Sequence, residues 1–140
     1  MASNRKLSPA ARDKFIQDQI AYWRELLNID TKLQLKVKYA TNNDPVDKDF
    51  ASIDRDMIEY RRASMEVYDE VFASPNFEED AEDTICHEIL HLAFNPLISY
   101  CHNMFTGDEG KQKELERQEE HTVTLLADAL TTLRRKNHSV

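Results

Sequence analysis

With 140 residues, 41% of them hydrophobic, the chain is long enough to bury one core and is read as a single domain spanning 1–140. Its formal net charge of −8 argues against a nucleic-acid binder, because neutralising phosphates needs clustered Lys and Arg. Two glycines, Gly107 and Gly110, cannot build a phosphate-cradling loop, and two cysteines, Cys86 and Cys101, cannot build a disulfide framework.

No apolar run of signal-peptide length opens the sequence, and no 18-residue apolar segment occurs in it. Neither export nor a membrane span is expected, and the protein is read as cytoplasmic. The first element follows from "LSPAARDKF": Ser8 fits an N-cap and Pro9 the first helical position. Ile16, Ile20, Trp23 and Leu27, flanked by Phe15, Tyr22 and Leu26, then recur at helical spacing. They predict an amphipathic helix of about 20 residues packed on a sheet.

"KLQLKVKYA" alternates, with Leu33, Leu35, Val37 and Tyr39 on one side and lysines with Gln34 on the other. That is a half-buried strand. "TNNDPVDKD" is turn chemistry. The next stretch divides into a short strand at Phe50 to Asp54, a turn to Met57 and a longer strand from Glu59 to Tyr68. Ala63, Met65 and Val67 form the buried face of that longer strand. The expectation is an α+β fold with about three mainly antiparallel strands.

"SPNFEED" restarts helix, with Asn76 and Glu79 spaced as a capping box. Asn95-Pro96 predicts a stop near Phe94. Residues 97–110 read as irregular. A last helix, Gln112 to Arg135, carries Val123, Leu126, Ala127, Leu130 and Leu133 on one side, and the tail from about 135 is expected to fray.

The second helix holds "EDTICHEILHLAFNPL". His87 and His91, four residues apart, stack on one face and can reach one tetrahedral metal ion without backbone distortion. Glu88 points to an adjacent side, placed to take the proton of an attacking water and hand it to a leaving amine. Ile85, Ile89 and Leu92 supply a buried face that would hold the motif rigid. Cys86 beside it reads as a small buried thiol.

"HEILH" resembles the active-site helix of zincin metallopeptidases. The order of helix, strand, strand pair, motif helix and second helix is similar to the smallest proteins of that fold. "HEILHLAFNPL", followed by "EEHTVTLLADAL", is similar to small phage and prophage metallopeptidase-like proteins, in which a second-helix glutamate completes the site as in gluzincins. The resemblance implies a zincin-like fold, a Zn2+ site, His87 and His91 as ligands, Glu88 as general base, and a peptide or protein substrate. It selects Glu120 as third ligand, with Glu119 next and Glu116 and His121 also open. The chain lacks the glycine and third histidine of metzincins, and Thr124 stands where some gluzincins carry an orienting aspartate. Tyr100, His102, His121 and Arg117 are the candidates for oxyanion stabilisation. By analogy with larger zincins, "RRASMEVY" would be the edge strand along which substrate lies. A zinc-binding interaction module without catalysis is the competing reading.

Overall fold

The computed structural model describes residues 7–44 and 49–138. In chain order these form helix α1 (Pro9–Leu26), strands β1 (Gln34–Ala40), β2 (Ala51–Asp54) and β3 (Arg62–Tyr68), then helices α2 (Phe77–Met104) and α3 (Glu109–His138). The class is α+β, with three helices and one small sheet. The turn segment 45–48 and residues 139–140 of the expected frayed tail lie outside the described residues.

The Ser8 hydroxyl accepts the Ala11 amide at 3.2 Å, and Pro9 opens α1, as the first turn's unpaired donors require. Ile16, Ile20 and Trp23 of this helix are buried. α1 lies along α2, where Phe15 meets Phe77 at 5.0 Å between ring centroids. The Tyr39 hydroxyl of β1 donates to Asp13 of α1 at 2.5 Å.

The sheet corrects one expectation. Its order is β1-β3-β2, with β3 parallel to β1 and antiparallel to β2, so it is mixed rather than mainly antiparallel. β3 therefore sits in the centre, and Ala63, Met65 and Val67 are all buried. It also starts later than expected. Residues Ile58–Tyr60 form a short 3-10 helix and Arg61 takes a left-handed φ of 57°, which ends the turn and lets Gln34 bond back to the Arg61 carbonyl.

Asn76 starts α2, but the capping box does not form. The Ser74 hydroxyl instead receives the Asn76 amide and donates to Asp80. Nor does the helix stop at Phe94; it passes through Pro96 to Met104. Ala93, Pro96 and Leu97 are exposed, so the ring meets solvent and only one backbone bond is lost. Continuing the helix leaves Ile98, Cys101, His102 and Phe105 half-buried, and Gln112 of α3 donates to the His102 carbonyl at 3.3 Å. Gly107, at φ 86°, reverses the chain, and the Asp108 carboxylate accepts the Lys111 amide to start α3. Residues 97–110 are thus a helical hairpin with a tight turn. Replacing Pro96 with alanine restores a donor to the Leu92 carbonyl. The expected result is a gain of about 1–2 kcal/mol in chemical denaturation, the helix gain being partly offset by a freer unfolded chain. A loss would contradict the exposed placement of the ring.

The far end of α3 is anchored rather than frayed at 135. Arg134 bonds the Gln19 amide oxygen at 2.8 Å and lies 3.6 Å above the Tyr22 ring, while Arg135 reaches Asp83 at 2.7 Å. One hydrophobic cluster joins α1, β3, α2 and the Val123 and Ala127 of α3. Cys86 lies within it, and burial pushes its thiol up to about 12, so it is an inert filler. Among the described residues no helix is long and apolar enough to cross a membrane.

Candidate metal centre

His87 and His91 stand one turn apart on α2, and their Nε2 atoms are 3.2 Å apart. From α3, Glu120 spans both: Oε1 lies 2.7 Å from His87 Nε2, and Oε2 lies 3.1 Å from His91 Nε2. A tetrahedral zinc ion with nitrogen and oxygen bonds near 2.0–2.1 Å separates its ligand atoms by about 3.3 Å. The three separations, measured to a different Glu120 oxygen for each histidine, fall inside that edge length by about 0.1–0.6 Å. Two imidazole nitrogens and a carboxylate are also the donor types that borderline-soft zinc takes. The residues fit the metal.

Each histidine needs its lone pair on Nε2, and for His91 the surroundings enforce this. Its Nδ1 lies 3.0 Å from Glu119 Oε2, and an ionised carboxylate can only accept, so Nδ1 carries the proton. Burial by itself would push the Glu119 carboxyl up. Its bonds from His91 and Arg55 outweigh that and hold it at about 2. Arg55, at the end of β2, grips both Glu119 oxygens at 2.8 and 3.1 Å and donates to the His91 carbonyl at 3.0 Å. Burial disfavours a charged His91, yet Glu119, Glu88 and Glu120 together raise its pKa.

Adjacent residues on a helix point about 100° apart. Glu119 and Glu120 use that angle to take opposite sides of one imidazole: Glu120 faces Nε2 and Glu119 faces Nδ1. Glu119 is buried, at 7% exposure, while the Glu120 side chain is 59% exposed. Of the four residues weighed as third ligand, only Glu120 joins the two histidines in a set whose ligand atoms lie within 4.8 Å of one another. Glu116 lines the same cavity farther along α3, and His121 is exposed and does not line it.

The cavity measures about 610 Å³ and is walled by β2, α2 and α3. Glu88 lines it at 9% exposure, and burial pushes its carboxyl up to about 8 against the pull of His91 and Arg55. Tyr100, His102, His121 and Arg117 all lie outside the lining. Tyr100 is exposed, and Arg117 is paired with Glu114 at 2.6 Å. The strand beside the cavity is β2, not "RRASMEVY", because β3 is flanked on both sides and has no open edge. Arg55 escaped the sequence reading because its partners are 36 and 64 residues away, and no periodicity marks a lone arginine in a turn.

Compared with protein-family models, curated proteins and solved structures, the chain matches none.

Proposed function

We propose that this chain is a zinc-dependent peptidase of zincin type, with His87, His91 and Glu120 as ligands and Glu88 as general base. The observation that carries the reading is the convergence of two imidazole Nε2 atoms and one carboxylate at 2.7–3.2 Å, with Glu88 buried in the same cavity. Bound zinc supplies Lewis acidity, bringing the pKa of water towards 7 and polarising the scissile carbonyl. Glu88 takes the proton from the attacking water and returns it to the leaving amine. A carboxyl whose pKa lies near the working pH does both well, and burial moves Glu88 in that direction. Glu119 and Arg55 keep His91 in the tautomer whose Nε2 is available.

One observation favours a second reading, a zinc-binding interaction module without turnover. Among the described lining residues the sole arginine or lysine is Arg55, and Glu119 and the His91 carbonyl already engage it. A developing oxyanion would have only the metal and hydroxyls such as Thr84 to face. The test is hydrolysis of a mixed peptide library by zinc-loaded protein, read by mass spectrometry. Under the peptidase reading, Glu88→Gln keeps its zinc and loses about 10²–10⁴-fold in rate. Zinc retained by the wild type with no peptide cut would favour the interaction module.

A further inference from the structure

We infer that the cleft takes a basic peptide, with Glu116 and Asp128 selecting Lys or Arg side chains on the two sides of the bond to be cut. This rests on the peptidase reading and adds the substrate class to it. Both carboxylates line the cavity that holds His87 and His91. Most of the other acids lining it are already committed. Glu119 is held by Arg55, Asp83 by Arg135 at 2.7 Å, and Glu120 lies against the two histidines. Glu116 and Asp128 make no side-chain hydrogen bond or ion pair among the described residues. They stand four residues before and eight after Glu120, which at helical rise is about 6 Å on one side and about 12 Å on the other. An extended peptide covers those spans in about two and about four residues.

An acidic helix face alone would be ordinary solvated surface. Here two further features point to a bound chain. Glu88 is nine-tenths buried, lines the same cavity and has no hydrogen bond among the described residues to offset its burial. Across the cavity, β2 is an edge strand. Tyr68 donates to the Phe50 carbonyl, and Phe50, Ser52 and Asp54 therefore turn their peptide groups towards β3. Ala51 and Ile53 turn theirs away from β3 and both line the cavity; Ala51 is 2% exposed, so the accessible main-chain partners are those of half-buried Ile53. A peptide there would meet main-chain partners on one wall and unpaired carboxylates on the other. Acidic peptides would be repelled by the same carboxylates, which is how such a cleft discriminates.

The experiment uses the full chain carrying Glu88→Gln, to prevent turnover, and two short fluorescent peptides that differ only in having lysines or glutamates. Binding is followed by anisotropy, with zinc content measured on the same samples. The lysine peptide is expected to bind on the order of tenfold tighter. Adding Glu116→Gln and Asp128→Asn removes most of that preference. Glu25→Gln with Glu59→Gln, an equal charge change on exposed sites outside the cavity lining, leaves it intact. No binding, no preference, or an equal fall in both double variants would overturn the inference, the last because it would show general attraction to an acidic protein. Zinc present without the preference sinks this inference alone. Zinc absent with the preference intact sinks the peptidase reading and leaves a basic-peptide cleft.

Discussion

Arg55→Ala is expected to lower the unfolding free energy by about 3–5 kcal/mol, among the largest effects of any single substitution outside the core. The arginine side chain is 24% exposed and can be rehydrated, but its partner cannot: the Glu119 side chain is 5% exposed. Removing the guanidinium leaves a buried carboxylate with only His91 against it, and also strips a donor from the His91 carbonyl. The function should follow. An unneutralised Glu119 draws His91 towards the doubly protonated imidazolium, whose Nε2 has no lone pair for a metal. Zinc affinity should fall by about 10–100-fold, the usual result of losing an outer-shell partner. The control is the same substitution in a Glu119→Gln background, where no buried charge remains to be stranded. There the further loss should be much smaller, giving a coupling of about 0.5–3 kcal/mol in a double-mutant cycle by urea denaturation. Equal losses in both backgrounds would show that Arg55 acts by packing alone.

The second large effect separates neighbouring glutamates. Glu120→Gln should weaken zinc binding by about 100-fold or more while changing the stability of the metal-free protein by less than about 0.5 kcal/mol. Its side chain is 59% exposed, and among the described residues it pairs with the two histidines alone. Glu119→Gln should show the opposite balance. The amide oxygen still accepts from His91, so affinity falls only about tenfold, while the lost charge opposite Arg55 lowers stability by about 1–3 kcal/mol. Calorimetric zinc titration and thermal unfolding of the metal-free variants read the two quantities separately. If Glu119→Gln abolished zinc binding and Glu120→Gln did not, the assignment of ligand and orienting carboxylate would be reversed.

How far the sequence discloses this arrangement depends on whether the responsible interaction is local. The α1 cap at Ser8, the alternation of Ala63, Met65 and Val67, and the placing of His87, Glu88 and His91 on one helix are all local, and all could be read from spacing. Strand order is not local. Three strands in succession suggest a meander, yet β3, which carries the buried Ala63, Met65 and Val67, lies between the other two and pairs with the distant β1, which no local pattern discloses. Pro96 misled for a similar reason. Its local cost is real, but it meets solvent while residues beyond it are half-buried and the His102 carbonyl and Phe105 ring meet Gln112 and Lys111 of α3. At the site, the helical stripe of α3 left Glu119 and Glu120 unresolved as ligands. Their different jobs depend on how α3 is rotated against His91, which no pattern within α3 reveals. Arg55 is the extreme case, a turn residue whose whole role lies in contacts with two distant helices.

Whether His87, His91 and Glu120 hold a metal is decided by elemental analysis of purified, untagged protein. About one zinc per chain is expected in the wild type and none in His87→Ala or His91→Ala, because a site of three protein ligands does not survive the loss of one nitrogen. A wild type that takes up no zinc when it is offered at neutral pH, or histidine variants that keep a full equivalent, would contradict the metal assignment.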